Sequence, residues 1–303
     1  MKTVILDGYT INPGDLSWSA LEALSQVKVC DRTPAEQLAE TIGDAEAIFT
    51  SKNKITEEVI AACPDLKFIG VLATGFDNID IEAAKARGIA VCNVPSYSTD
   101  TVAQHTFALI LEITNNAGLH NAAVQNGEWT VSPDFCLIKS PIQQLAGKTL
   151  GIIGYGNIGR KVAAIAEAFG MTVNIYSRDR EAAMKSDIVT LHCPATAENR
   201  GFINREFISQ MKDGAILINT ARGALINEAD LAAALAAGKI SAAGLDVVNG
   251  EPPKMDNPLI GLPNCFITAH VAWASKEARN TICEVSAANL KSWLEGGKLN
   301  RIV

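Results

Sequence analysis

The chain has no Cys-x-x-Cys pair. Its seven cysteines, Cys30, Cys63, Cys92, Cys136, Cys193, Cys265 and Cys283, are scattered and odd in number. They read as reduced thiols rather than as a disulfide framework or a zinc site. Histidine is scarce too: His105, His120, His192 and His270 show no metal-ligand spacing, so no metal is expected. Positive charge is in deficit, with 26 Lys and Arg against 33 Asp and Glu and a net charge of −7. That balance argues against nucleic acid or an anionic membrane as the main partner. It does not exclude an anionic substrate, for which one local arginine suffices. No apolar run is long enough to span a bilayer. Met1–Asp7 is too short for a signal peptide and reads as a strand. A soluble, cytoplasmic protein is the expectation. There is no internal repeat or low-complexity linker. What is present is a chain 48% hydrophobic and 19% charged, able to bury a substantial core, whose length suggests about two domains.

Strand-like and helix-like segments alternate along it. Val4–Leu6, Val27–Cys30, Ala47–Thr50, Phe68–Val71 and Ala90–Cys92 are short, apolar and rich in β-branched residues. Helical stretches such as Thr56–Ala62 and Ile81–Arg87 lie between them, closed by Cys63-Pro64 and Gly88. This is the rhythm of a parallel sheet with helical crossovers. At Thr101 the pattern changes. Thr101-Val102-Ala103-Gln104 fits a capping box and predicts a long helix to about Asn115. The stretch Asn116–Gly147 is poorly periodic and reads as an ordered excursion rather than a core element. A second series follows: strands at Thr149–Ile153, Thr172–Tyr176, Asp187–Cys193, Ala215–Asn219, Ala242–Val248 and Cys265–Thr268, with helices at Ile158–Phe169 and Glu228–Ala237. Asn227 is the expected N-cap of the latter and Gly238 its stop. A last long helix spans about Ser275–Glu295. Two α/β domains follow.

Gly154-Tyr155-Gly156-Asn157-Ile158-Gly159 sits between an apolar strand and an amphipathic helix. In that context Gly154 permits a tight turn, Gly156 lets the backbone approach a pyrophosphate, and Gly159 allows close helix–strand packing. The phosphates would rest on the helix N-terminus. At the end of the next strand an acid commonly bonds the ribose 2′-OH and repels a 2′-phosphate. Here Ser177 stands in that place, followed by Arg178, Asp179 and Arg180. Two readings stay open. The arginines pair with a 2′-phosphate, which leans toward NADP(H) over NAD(H), or they are solvated surface charges and Asp179 or the backbone holds the ribose.

Arg222 lies just past a strand carboxyl end, where ligands bind in such sheets, and a guanidinium can grip a carboxylate bidentately. Glu251 precedes Pro252-Pro253, and His270 follows the strand ending at Thr268. A carboxylate bonded to a histidine favours its protonated form and fixes its tautomer, so the ring can donate a proton near neutral pH. Singly, each residue has an ordinary structural reading. Together, beside a dinucleotide loop, they describe reduction of a small 2-keto acid.

These segments resemble the D-isomer-specific 2-hydroxyacid dehydrogenase family, within it the glycerate dehydrogenase/hydroxypyruvate reductase group. The supporting stretches are Leu72–Asp80, Asn93–Ser98, Val102–Thr106, the glycine loop, Asn219–Gly223, Ala243–Val247, Glu251-Pro252 and His270–Ala274, with His270-x-x-Trp273 pointing to the hydroxypyruvate group. The resemblance covers nearly the whole chain. It implies an α/β protein of two Rossmann-like, doubly wound parallel-sheet domains with the active site in the cleft between them. Residues 1–98 plus 275–303 would form the substrate domain and 99–274 the dinucleotide-binding domain. Arg222 would match the substrate-binding arginine, Glu251 the histidine's partner and His270 the acid/base. Ala73, Thr74 and Gly75 match the loop whose backbone receives the substrate carboxylate, and Trp273 lines the pocket. Thr74, Asn157, Ile158, Cys193, Pro194, Thr220 and Asp246 match cofactor-contacting positions. The expected reaction joins hydroxypyruvate and D-glycerate, or glyoxylate and glycolate, through a nicotinamide cofactor, in a homodimer. An interaction protein related to corepressors of this fold is the rival of another class, against which the acidic chain counts.

One departure stands out. Only nine residues separate Ser177 from Asp187, where the family usually has a further short strand and a helix flanking the adenine side.

Overall fold

A computed structural model describes all 303 residues. The chain divides into two compact units, residues 1–98 with 274–303, and residues 99–273.

The first unit is built on a five-stranded parallel sheet of β1 (Lys2–Ile5), β2 (Gln26–Val29), β3 (Ala47–Thr50), β4 (Phe68–Val71) and β5 (Ala90–Cys92), in the order β2-β1-β3-β4-β5. Composition explains the order. Strands β3 and β4 are apolar on both faces and fully buried, as parallel strands between helical layers must be. Gln-Val-Lys-Val of β2 is largely exposed and takes the edge. Ile48, Ile69 and Val91 from adjacent strands share a core with Leu38, Ile42 and Ile60 from covering helices. The helix Lys276–Leu294 belongs to this unit, with Ser275 as N-cap accepting from the Ala278 N–H at 3.2 Å.

The second unit carries a six-stranded parallel sheet: β6 (Thr149–Ile153), β7 (Thr172–Ile175), β8 (Ile188–Leu191), β9 (Ala215–Asn219), β10 (Ile240–Leu245) and β11 (Cys265–Ile267). The order is β11-β10-β9-β8-β6-β7, so the direction of progression reverses between β6 and β8. Such a switch point leaves a crevice outside the strand carboxyl ends. Strand β7 pairs only with β6 and forms the edge. A single short helix, Arg180–Met184, capped by the Asp179 carboxylate on the Ala182 N–H (3.0 Å), leads directly from β7 back to β8.

Two expectations are corrected. The long helix spans Thr99–Asn115, so Thr101 lies inside its first turn and the capping-box pattern there is coincidental. The chain enters that helix straight from the turn at Ser96, whose φ is 58°. The stretch after Asn116 contains a helix, Ala117–Gln125, and a 3₁₀ turn, Trp129–Val131. The helix buries only Ala123, so it has no apolar stripe by which its period could be read. No helix of the chain is long and apolar enough to cross a membrane, and no group of three or more His, Cys, Asp or Glu is placed to hold a metal ion.

Candidate active site

Strand β6 ends at Ile153, whose carbonyl accepts the His192 N–H at 2.7 Å, so the exits of β6 and β8 lie side by side. Between them Gly154 turns with φ +98°, and a Cβ there would stand 2.5 Å from Cys193 N and from His192 C. Only glycine lets the two exits meet so closely. At Gly156 a Cβ would meet nothing within 4 Å, so the backbone there is open to an approaching group. Gly156 is also the N-cap of the helix Asn157–Ala168, and having no side chain it caps nothing. A twelve-residue helix beginning at an open glycine turn is suited to an anion, through its N–H groups and dipole. Burial drives His192 down to about 3, so this ring is neutral, with Nε2 3.0 Å from the Thr190 hydroxyl.

Past the end of β7, Ser177, Arg178 and Arg180 are exposed. The Arg178 guanidinium stands 5.4 Å from the centre of the Tyr155 ring, within the glycine loop, and Arg180 stands 5.5 Å from the Tyr176 ring. Asp179 caps the following helix, its Oδ1 accepting the Ala182 N–H at 3.0 Å.

Arg222, Glu251 and His270 hang from β9, β10 and β11, all on the carboxyl side of the sheet. The Asn219 side chain shapes the turn before Arg222, donating to the Arg222 carbonyl (2.9 Å) and accepting from the Ala221 N–H (3.0 Å). His270 adopts φ 53°, the left-handed region that L-residues seldom occupy. Asp246 holds it there. Its carbonyl accepts the His270 N–H (2.8 Å), Oδ1 accepts the Thr268 hydroxyl (2.6 Å) and the Val271 N–H (2.9 Å), and Oδ2 accepts the Ala272 N–H (2.8 Å). His105 Nε2 lies 2.9 Å from the Thr268 oxygen; since that hydroxyl donates to Asp246, the network makes Nε2 the donor. So oriented, His270 Nδ1 meets Glu251 Oε2 at 2.5 Å, and Glu251 Oε1 accepts the Val248 N–H at 3.1 Å. Burial alone would push the Glu251 carboxyl up. The His270 hydrogen bond and charge, the Val248 N–H and the Arg222 charge outweigh it and hold the carboxyl below its usual value. Glu251 is therefore a carboxylate at neutral pH, and with Nδ1 engaged the histidine has Nε2 left for a substrate.

Residues 107–272 match the family described as D-isomer specific 2-hydroxyacid dehydrogenase, NAD binding domain. The chain is 45% identical to the hydroxypyruvate reductase of Blautia hydrogenotrophica, with 99% of each chain covered. It belongs to the D-isomer-specific 2-hydroxyacid dehydrogenase family. The glycerate dehydrogenase of Methylorubrum extorquens is 40% identical over 88% of each chain. Among solved structures, an acyclic imino acid reductase in complex with NADPH and D-Arg matches with a TM-score of 0.85 at 31% identity, over 100% of both chains. The alignment with the Blautia enzyme runs to 318 positions against 303 residues, so this chain is gapped relative to it.

In this NAD(P)-dependent dehydrogenase the remaining predicted residues divide. Cys193 and Pro194 follow β8, opposite the glycine turn, and burial pushes the Cys193 thiol up. Thr220 is buried, its hydroxyl 3.0 Å from that of Thr106. Asp246, expected among the cofactor contacts, is only 1% exposed, and both its carboxylate oxygens are taken up behind His270. Trp273 closes the second unit. Ala73, Thr74 and Gly75 belong to the first unit, just past β4, where the Thr74 hydroxyl donates to the Val94 carbonyl (2.8 Å) and the Asn93 amide to the Thr74 carbonyl (2.8 Å). Sequence reasoning missed the framing role of Asp246 with Thr268 and His105. An acid closing the apolar run Ile240–Leu245 was the available signal, because a carboxylate buried there must find donors.

Proposed function

We propose that the enzyme reduces hydroxypyruvate to D-glycerate, with glyoxylate as a second substrate, and uses NADPH at least as well as NADH. The Glu251–His270 pair carries the reading: an ionised carboxylate 2.5 Å from one ring nitrogen and the other nitrogen available to donate.

The glycine turn, the open space at Gly156 and the start of the helix Asn157–Ala168 fit a dinucleotide pyrophosphate. A reduced nicotinamide cofactor bound by this domain would supply the hydride for the keto carbon. The chain's own residues do the rest. Arg222 grips the substrate carboxylate and polarises the ketone. His270 Nε2 gives its proton to the carbonyl oxygen as charge builds there, and Glu251 stabilises the imidazolium beforehand. Asp246, through the turn it anchors, keeps His270 in its strained backbone state. Trp273, three residues beyond His270, limits the pocket on the side of the ring. For the cofactor, Ser177 puts no negative charge where a 2′-phosphate would lie, and Arg178 and Arg180, steadied on Tyr155 and Tyr176, are positioned to pair with it. NADPH in the complex of the acyclic imino acid reductase supports this, as the names of the Blautia and Methylorubrum relatives support the substrate. The exposed side chains of Trp129, Val131, Phe135, Ile138 and Ile142 support a homodimer that pairs through the excursion after Asn116.

A steady-state panel of small 2-keto acids with NADH and NADPH tests the reading. Hydroxypyruvate should give the highest kcat/KM, and Ser177→Asp should move preference toward NADH. A strong wild-type preference for NADH that Ser177→Asp leaves unchanged refutes the role given to the arginines; no turnover of any 2-keto acid refutes the whole.

A further inference from the structure

Glu251 sits in a segment that the protein core does not support. Every residue from Asn249 to Asp256 is exposed. At the segment's near end Asn249 borders a cavity of about 540 Å³, lined also by Arg200, Asn227, Glu228 and Pro258. Yet proton donation by His270 requires the Glu251 carboxylate to be held at one place. Something else must fix the segment.

Glu228 does so. It is the first residue of the helix Glu228–Ala236, whose start is fixed by the Asn227 side chain accepting from the Asp230 N–H (3.2 Å) and by the Asn227 N–H donating to the Ile203 carbonyl (3.0 Å). From that fixed point the Glu228 carboxylate reaches both ends of the segment. Oε1 accepts the Asn249 N–H at 2.6 Å and Oε2 accepts the Asn257 side-chain amide at 2.9 Å. Asn257 is itself held, its Oδ1 accepting the Leu259 N–H (3.0 Å) and its N–H donating to the Lys254 carbonyl (3.1 Å). The near end is gripped from a second side. A Cβ on Gly223, the neighbour of Arg222, would stand 2.0 Å from the Val248 carbonyl carbon and 2.6 Å from Asn249 N. The backbone that follows the arginine therefore lies directly on the backbone that leads to Glu251.

We infer that Glu228 is a positioning residue for the reaction: by bridging Asn249 and Asn257 it sets the place of the Glu251 carboxylate, and through it the protonation of His270. The inference rests on the proposed role of Glu251. The charged and titratable groups that face this assembly are His270 and Arg222 on Glu251, and Arg200 and Cys265 near Glu228. The Cys265 thiol is pushed up to about 12, by burial first and the Glu228 charge second, so it stays neutral and does not compete. A glutamate at a helix start also has an ordinary role, interacting with the helix dipole. That role affects stability and leaves the pH profile alone, so the two are separable.

Glu228→Gln keeps the shape but offers an amide N–H₂ where one of the two donors now binds. The full-length enzyme is assayed for kcat/KM of hydroxypyruvate reduction between pH 5 and 10, with thermal unfolding in parallel and Glu251→Gln and the double variant as references. Expected is a loss of about tenfold at the alkaline end, the equivalent of one net hydrogen bond, with the upper limb moved to lower pH as in Glu251→Gln. The double variant should be no worse than Glu251→Gln on that limb, because the two act through one group. Asn257→Ala cuts the same bridge from its far end and should give the same shift, which keeps the test decisive if Glu228→Gln does not fold. A lowered melting temperature with an unmoved profile in both bridge variants, or losses that add in the double variant, overturns the assignment. If Glu251→Gln itself leaves the profile unmoved, the role of Glu251 falls first and this inference with it.

Discussion

Replacing Glu251 by glutamine removes one negative charge and leaves the outline of the side chain. In the native arrangement the carboxylate serves two donors, the Val248 N–H on Oε1 and the ring nitrogen of His270 on Oε2. The amide has one oxygen, so one of the two donors loses its acceptor. The larger effect is electrostatic. Two unit charges about 4 Å apart interact by about 1 kcal/mol in water and about 4 kcal/mol at an effective dielectric near 20. The side chains of His270 and Glu251 are 42% and 33% exposed, which places the pair toward the watery end of that range. An attraction of about 1.4 kcal/mol is a factor of ten in an equilibrium, which sets the scale for the rate profile. Arg222 acts in the same direction, since its charge, now partly offset by Glu251, would face the ring uncompensated. The sign follows: reduction needs the protonated ring, so the alkaline limb of kcat/KM should move down by about one unit. Below the limb, activity should be closer to wild type. The measurement is kcat/KM for hydroxypyruvate across pH, with cofactor binding followed separately by nicotinamide fluorescence. An alkaline limb that stays where it was in the wild type would mean that Glu251 does not control the proton on His270.

His270→Ala should lower keto-acid turnover by roughly a hundredfold or more, the usual contribution of a general acid, while cofactor binding persists; unchanged turnover would remove His270 from the chemistry. Asp187 provides an acid-stability test away from the site. Burial, the largest single influence, pushes its carboxyl up, but the Lys212 ammonium at 2.6 Å and the Thr149 N–H and hydroxyl at 2.8 Å together outweigh it and bring it to about 2. A depressed folded value stabilises above the unfolded value of 3.8 and is lost as pH falls toward 2. Asp187→Asn should therefore cost roughly 2 kcal/mol in denaturant titrations at pH 7 and almost nothing near pH 2, and an equal cost at both would refute the linkage. Sedimentation at micromolar concentration should show a dimer, and placing charges at Phe135 and Ile138 should shift it toward monomer; a wild-type monomer would refute the pairing face.

Much of this architecture can be read from local chemistry. The apolar runs Ala47–Thr50, Phe68–Val71, Ala90–Cys92, Thr149–Ile153 and Ala215–Asn219 coincide with strands to the residue, because strands buried on both faces announce themselves by composition alone. The Asn227 cap and the Gly238 stop are equally plain, since each does its work within one turn of the helix. What stays hidden depends on neighbours distant in sequence. Gly8–Ile11, Ser19–Glu22 and Arg205–Gln210 are too short to show a period. The helix Ala117–Gln125 buries one residue and so leaves no pattern. At the site, Arg222, Glu251 and His270 stand out by type and strand-end position. Asp246, Thr268 and Glu228 do not, because their meaning lies in bonds to residues 21 to 29 positions away in chain number. Asp179 is ambiguous in the sequence for a similar reason: an acid there can hold a ribose or cap a helix, and the cap it forms on Ala182 is visible only in the fold.

Strand β7 gains a different importance when the protein is viewed as material for change. It pairs with β6 alone, so lengthening or shortening the chain beyond Ile175 alters the margin of the sheet and leaves the ladder from β6 through β11 intact. The thermodynamic resistance to such changes is low, as each doubling of a connecting loop costs only about 0.6 kcal/mol in closure entropy. Arg222, Glu251 and His270 hang from β9, β10 and β11, toward the opposite margin. The margin proposed to choose between dinucleotides and the margin proposed to handle the proton are therefore separately editable. A longer crossover grafted between Asp179 and Asp187 could rebuild the outer wall of the nucleotide site without passing through the chemistry, which makes this margin the natural place for the fold to vary.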